Sequence, residues 1–167
     1  MKKTYLPIAM AVVAMVMVMA AQARADDKAE IEALEKRVAA AVQAKDVNAV
    51  MANYLPGDSL IVFDVIPPRQ YTGWGAYKKD WQGVLGGCAD SPKMDISDLA
   101  ITTGRRIAFS HSIQHFVCTD AKGNKLDMTL RATDAYRKEK GKWLIVHEHI
   151  SVPVDLATSK ADLSSKP

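Results

Sequence analysis

The chain has 167 residues, of which 49% are hydrophobic and 25% charged, with 22 Lys and Arg against 19 Asp and Glu. This length suits one ordinary domain with one core, and no second domain is needed. No charged block and no basic stripe interleaved with aromatic residues is present, so we expect neither nucleic acid nor an anionic membrane surface as a partner.

Residues 1–25 have the pattern of an export signal. Lys2 and Lys3 give a positive start, and an almost uninterrupted apolar run follows over residues 6–21. Ala23-Arg24-Ala25 then fits the A-x-A site that signal peptidase reads, which predicts cleavage before Asp26. Ala21-Gln22-Ala23 is a second candidate for the cleavage site. Because the run is short for a membrane span, a retained anchor is the minority interpretation. We therefore predict a periplasmic or secreted protein with no membrane partner after cleavage.

Removing the signal changes the charge balance and leaves a pair of cysteines. Residues 1–25 contain three of the 22 basic residues and no acid, so the remaining chain balances 19 against 19. Cys88 and Cys118 both remain, and in an oxidising compartment such a pair is more often bonded than free. We predict a disulfide, with two separately buried thiols as the alternative.

Two helices are predicted directly after the signal. Asp27 and Glu30 have capping-box spacing, and apolar residues recur at helical intervals over residues 31–42. This pattern predicts a long amphipathic helix. Asp46 is placed to cap a second, short helix over residues 47–51.

A strand, a third helix and four further strands follow. Residues 59–65 are β-branched and aromatic, which predicts a strand, and residues 74–85 predict a helix. The remaining strands, separated by tight turns, are predicted over residues 95–103, 106–119, 125–138 and 143–154. These elements predict an α+β domain over residues 26–156, in which a curved antiparallel sheet wraps around the long first helix. Residues 157–167 are small and polar and are expected to form a flexible tail.

The last predicted strand carries the most specific motif, W-x-I-V-H-x-H-x-S-x-P over residues 143–153. It resembles the SnoaL-like branch of the nuclear transport factor 2 superfamily, and also the association domain of calcium/calmodulin-dependent kinase II. Tyr71-Thr72-Gly73, with Ala76 and Trp81, is similar to the family's strand-to-helix corner. The resemblance covers about residues 28–155.

That resemblance implies a cone-shaped, cystatin-like roll with a cavity between sheet and helices. It also implies a homodimer formed through the outer face of the sheet. It does not imply one activity, since the superfamily includes isomerases, cyclases, dehydratases, binding modules and oligomerisation domains.

Asp64 is the first candidate for proton transfer. It follows the apolar residues of the first strand, where burial would raise the pKa of its carboxyl group. Its position resembles that of the general-base aspartate of ketosteroid isomerase. The alternative is that Asp64 caps the Pro67-Pro68 turn. The isomerase family also has a tyrosine on its first helix, where this chain has Val38, so true ketosteroid isomerisation is not expected.

A polar patch is predicted on the last two strands. Alternation puts His147, His149 and Ser151 on one face. A three-residue hairpin loop would set Thr133 opposite His147 and Arg131 opposite His149. Arg131 and His149 are therefore candidate catalytic partners for a carboxylate or an enolate. A hydrogen-bonded network that fixes the sheet or a dimer interface is the alternative.

The sequence thus predicts a pocket for a small, largely apolar ligand that carries a carbonyl or a carboxylate. An enzyme of this kind would act as an isomerase, cyclase or dehydratase, and the alternative is a non-catalytic binding or oligomerisation module. His147 and His149 have the spacing of a metal chelate but lack an evident third ligand, so we expect no metal and no cofactor. The candidate ligand contacts are Tyr54, Tyr71, Trp74, His111, Thr133, His147 and Ser151.

Overall fold

The computed structural model describes residues 6–165, with three helices. They are α1 (Leu6–Gln43), α2 (Val47–Met51) and α3 (Trp74–Gly87). Asp46 caps α2 as predicted, because its carboxylate accepts a hydrogen bond from the backbone N–H of Ala49. In the part of the chain that is described, no helix is long and apolar enough to cross a membrane.

The first helix does not begin at Asp27, where the capping-box spacing placed its start. It runs without interruption from the preceding apolar segment, so the backbone at Asp27 is already helical. The Asp27 carboxylate instead accepts hydrogen bonds from Lys138 Nζ at 2.5 Å and Trp143 Nε1 at 3.1 Å. It therefore ties the helix to the sheet.

Six of the eight strands form one sheet in the order β2-β1-β6-β5-β4-β3. Its pairings are antiparallel except that of β1 with β6, which is parallel. The strands of the meander match the prediction within a few residues, and the predicted α+β fold is confirmed. The strands are β1 (Ile61–Phe63), β2 (Tyr71–Thr72), β3 (Lys93–Thr103), β4 (Ile107–Thr119), β5 (Lys125–Glu139), β6 (Lys142–Ser151), β7 (Val154–Asp155) and β8 (Lys160–Ala161).

The main core lies between α1 and the sheet. Ile31, Leu34, Val38 and Val42, at helical spacing, are each at most 3% exposed. They belong to one apolar cluster with inward-facing sheet residues such as Ile145. Burying each such side chain contributes about 1.5–3 kcal/mol, so this stripe fixes the helix against the sheet.

The hairpin between β5 and β6 has a two-residue turn. Lys140 and Gly141 both have positive φ, at 49° and 84°, as in a type I′ turn. Glu139 pairs with Lys142 directly across it. The predicted three-residue loop was therefore wrong by one position.

A β-bulge in β6 shifts the register a second time. Ala135 pairs with His147 whereas Tyr136 pairs with Ile145, so Val146 is an extra residue in β6. Ile145 faces the core before the bulge, and Glu148 faces it after the bulge. A bulge thus reverses the alternation of faces that a regular strand would have.

The C-terminal segment contains local structure. β7 and β8 pair as a short hairpin, and Asp155 accepts hydrogen bonds from the backbone N–H groups of Ala157 and Thr158. Leu163 also accepts a hydrogen bond from the Thr129 N–H of β5 at 2.7 Å. The segment predicted as a flexible tail is therefore in contact with the sheet.

Candidate functional site

A cavity of about 490 Å³ lies between α3 and the inner face of the sheet. Cys88 and Cys118 form a disulfide that joins the end of α3 to β4 and lines one side of this cavity. Most of the wall is apolar, and the side chains that form it include Trp81, Val84, Met94, Phe116, Met128, Leu130 and Ile150. The space is in the range typical of small-molecule sites.

Asp64 lines this cavity from the loop that follows β1. Burial, and to a smaller extent the nearby charge of Asp80, raise the pKa of its carboxyl group to about 6. Hydrogen bonds from the backbone N–H groups of Val65 and Ile66 oppose that rise. Asp64 therefore contacts its own loop, as the turn-cap alternative required, and also faces the cavity, as a general base must.

Glu148, on β6, lines the same cavity and is held by two phenols. The Tyr77 hydroxyl donates to Glu148 Oε2 at 2.5 Å, and the Tyr54 hydroxyl donates to the same oxygen at 3.0 Å. The pKa of Glu148 is raised to about 8, mainly by burial. The negative charge of Asp64 also raises this pKa, whereas the hydrogen bonds from the two phenols lower it. At neutral pH Glu148 mostly keeps its proton while Asp64 mostly does not. We call Glu148, Tyr54 and Tyr77 the acid–phenol cluster.

Two more buried acids lie behind this cluster. Asp134 is the cross-strand partner of Glu148, and Glu35 on α1 accepts a hydrogen bond from the Tyr136 hydroxyl at 2.7 Å. Burial raises the pKa of both carboxyl groups. Within residues 6–165 no ion pair links them to a lysine or arginine. Their protonated forms are therefore favoured.

Tyr71 and Asp80 extend the acidic end of the cavity. The Tyr71 hydroxyl lies 2.7 Å from Asp80 Oδ1 and 3.0 Å from the Pro67 carbonyl, and these two acceptors share its one hydrogen. Asp80 lines the cavity from α3, and burial raises the pKa of its carboxyl group. Of the predicted ligand contacts, Tyr71 thus borders the site through Asp80, and Tyr54 borders it through Glu148.

The other predicted polar residues of the sheet lie on its outer face. Arg131 pairs with Ser151, and Thr133 pairs with His149, so the predicted pairing of Arg131 with His149 was wrong. The cause is the register shift at the β6 bulge together with the shorter turn. The residues of this outer set, which do not border the cavity, are His111, Arg131, Thr133, His147, His149 and Ser151.

The outer-face histidines of β6 are part of a packed network. The Phe63 ring contacts His147 and His149 edge to face, with centroids 5.0 and 5.6 Å apart, and His147 Nδ1 lies 2.8 Å from the Ile61 carbonyl. These contacts join β6 to β1 on the outer face of the sheet. In the described part of the chain, no three His, Cys, Asp or Glu side chains form a metal-ligand group. The homodimer stays a prediction.

Trp74 is also placed away from the cavity. Its Nε1–H donates to the Met51 carbonyl at 2.9 Å, and the Lys78 ammonium lies over its ring. The residue therefore holds α3 against α2.

Sequence reasoning missed Glu148, Tyr77, Asp80 and Gln114, all of which line the cavity. For Glu148 a signal was present, since regular alternation groups it with the apolar residues of its strand. A single carboxylate on an apolar face indicates a functional or strongly hydrogen-bonded position. Nothing in the spacing of the other three distinguished them from ordinary helix and strand residues.

Comparisons with known proteins agree with the fold. The sequence matches the SnoaL-like domain over residues 31–155. No curated protein has a matching sequence. A nuclear transport factor 2-like protein of unknown function from Pseudomonas putida KT2440 has 29% sequence identity and a TM-score of 0.76, with 86% of this chain and 98% of that chain covered.

Two more distant structures share the fold. A proposed calcium/calmodulin-dependent protein kinase II association domain from Xanthomonas campestris has 24% identity and a TM-score of 0.64, covering 73% of this chain and 84% of its own. A proposed dehydratase of the nuclear transport factor 2-like family from Streptomyces avermitilis has 13% identity and a TM-score of 0.67. The match covers 77% of this chain and 97% of that chain. At these identities the likeness concerns the fold alone.

Proposed function

The chain belongs to the SnoaL-like domain family, and we propose that it encloses a small, largely apolar ligand with a carbonyl group and transfers a proton next to that carbonyl. One observation carries this proposal. A single, mostly apolar cavity holds a carboxyl group with a pKa of about 6, Asp64, and another with a pKa of about 8, Glu148. Environments that separate two pKa values in this way provide a base and an acid at neutral pH.

In the proposed step, ionised Asp64 takes a proton from the carbon beside the ligand carbonyl. The electron pair of the broken C–H bond moves into an enolate, and protonated Glu148 donates a hydrogen bond to the enolate oxygen. Tyr54 and Tyr77 hold the Glu148 carboxyl group in place. Asp64 then returns the proton to the same or another carbon, so no external oxidant or reductant is required.

The charge of the cavity favours a carbonyl over a carboxylate on the ligand. Asp64, Asp80 and Glu148 all line it, and among the described lining residues Lys125 is the single cation. Arg131, the residue expected to bind a carboxylate, lies on the outer face. A ligand carboxylate near Asp64 would meet charge of its own sign, whereas a neutral carbonyl would not.

Exchange of ketone protons in D₂O tests the catalytic step with a simple ketone in place of the natural substrate. We expect the protein to accelerate loss of the C2 proton signal of 1-tetralone in ¹H NMR spectra. Asp64→Asn should reduce this acceleration by at least about 100-fold, because it removes the general base. Asp95→Asn is the matched control, since Asp95 is an exposed aspartate on β3 and should leave the rate unchanged.

The possible outcomes separate the two functions. Binding of 1-tetralone without faster exchange would leave a binding module and remove the catalytic step. Equal exchange rates for the wild type and Asp64→Asn would remove Asp64 as the base. Absence of both binding and exchange would contradict the proposed ligand class.

We also propose that the protein is exported and that residues 1–25 are removed. The basic start, the apolar run and the A-x-A site support this proposal, and the Cys88–Cys118 disulfide suits an oxidising compartment. The intact mass of protein from a periplasmic fraction should correspond to a chain that begins at Asp26. It should not increase on alkylation without reduction. A full-length chain confined to the cytoplasm would contradict export.

A further inference from the structure

Gln114 is a polar side chain in an apolar part of the cavity wall. It lies on β4, it is 4% exposed, and it lines the cavity. Its cross-strand neighbours are Ile96 and Leu130, whose side chains offer no hydrogen-bonding group. Among residues 6–165, no side-chain hydrogen bond involves the Gln114 amide, and its polar atoms are not completely buried. It is therefore open to the cavity.

An unpaired amide at this position needs an explanation. A glutamine side chain offers two N–H donors and one carbonyl acceptor, and buried groups of this kind nearly always have partners. An apolar side chain of similar size would pack against Leu130 and Phe116 without losing hydrogen bonds to water. A polar group from the ligand would supply the partner that the protein does not.

Gln114 is remote from the acid–phenol cluster along the sheet. On β4, Ser110 pairs with Asp134, which in turn pairs with Glu148. Gln114 is four residues further along β4, which corresponds to about 13 Å at the rise of a strand. Ile150 lines the cavity in the row between, opposite Ala132. Gln114 and the acid–phenol cluster are therefore separated on the sheet by apolar wall, and the polar lining residues Asp120, Asn124 and Lys125 lie beyond Gln114, at the turn between β4 and β5.

We infer that the ligand is bifunctional, with a hydroxyl or second carbonyl group that Gln114 recognises at the end of an apolar skeleton opposite the reacting carbonyl. This inference rests on the proposed function and adds the specificity of the same site. A neutral amide both donates and accepts, so it suits an uncharged hydroxyl or carbonyl better than an ion. A rigid skeleton of two or three fused rings fits a cavity of about 490 Å³.

Two probes that differ by one hydroxyl group test the inference. 1-Tetralone carries the carbonyl alone, and 6-hydroxy-1-tetralone adds a hydroxyl at the far end of the fused rings. We expect the wild type to bind the hydroxylated probe about fivefold to tenfold more tightly, the value of one neutral hydrogen bond. Gln114→Leu should abolish that preference by lowering the affinity for the hydroxylated probe and leaving the affinity for 1-tetralone unchanged. Calorimetric titration measures both affinities. Gln82→Leu, the same change at an exposed position of α3, should keep the preference.

A melting curve distinguishes ligand recognition from a structural role. Gln114→Leu should melt at or above the wild-type temperature, because an unpaired buried amide is replaced by an apolar side chain. A clear loss of thermal stability would assign Gln114 to the structure and overturn the inference.

Equal affinities of the wild type for the two probes, or a preference that survives Gln114→Leu, would also overturn it. In either case, 1-tetralone binding with Asp64-dependent exchange would leave the proposed function standing. If neither probe binds, both proposals fail.

Discussion

The inner and outer faces of the sheet carry different chemistry, although their residues alternate along the same strands. On the inner face, Asp134, Tyr136 and Glu148 are at most 5% exposed and lie among other acids and phenols. On the outer face are Arg131 and the histidines of β6, which are partly or fully exposed. The outer set has the side chains most often associated with catalysis, yet it is Glu148, a member of the inner set, that borders the cavity. Whether a side chain of the sheet can border the cavity therefore depends on the face on which it lies, and the residue type alone does not predict it.

Adjacent residues on opposite faces give the largest expected contrast. Glu148→Ala removes the acceptor of the Tyr54 and Tyr77 hydroxyls and leaves a void, so we expect the free energy of unfolding to fall by about 2–4 kcal/mol. His149→Ala removes an exposed ring that contacts Phe63, so the change should stay within about 0.5 kcal/mol. Urea denaturation measures both values.

The same pair of variants also tests the register of β6. Circular dichroism of both proteins serves as the control that they keep the folded state. If His149→Ala were the more destabilising change, the bulge at Val146 would be misplaced and the histidine would face the core. The inner face would then no longer be the site.

Much of the fold follows from local pattern in the sequence. The helical stripe from Ile31 to Val42 and the alternating strands of the meander depend on short-range periodicity, which a single sequence displays directly. The α2 cap at Asp46 is likewise a local signal. The start of α1 was the exception, because a capping-box spacing at Asp27 does not reveal that the preceding apolar residues are also helical.

The site was less predictable, because it depends on register. Asp64 was proposed from its apolar surroundings, and burial is the largest cause of its raised pKa. The pairing of Glu148 with Tyr77 joins residues 71 positions apart, and no local pattern encodes such a contact. The extra residue at Val146 then reversed the faces of the histidines and of Glu148. The extra residue at Val146 thus separates the predicted polar patch from Glu148, the residue of β6 that lines the cavity.

The pH dependence of stability provides a smaller and more specific test of the inner face. In the folded protein the pKa of Glu148 is about 8, against 4.5 for an ordinary glutamate. Between these values the folded state holds a proton that the unfolded state has released. The contribution of Glu148 to stability should therefore be largest below about pH 4.5 and should fall as pH rises towards 8.

The slope for one such proton is at most about 1.4 kcal/mol per pH unit. Glu148→Gln keeps the shape of the side chain but cannot titrate, so its unfolding free energy should vary less between pH 5 and 8. Glu32→Gln, the same change on α1, should follow the wild-type curve. Chemical denaturation at several pH values measures all three, and a wild-type stability that increases over this interval would show that Glu148 is ionised in the fold. The acid–phenol cluster would then be unable to donate a hydrogen bond to a ligand, and the inner face would lose the acid that distinguishes it from the outer one.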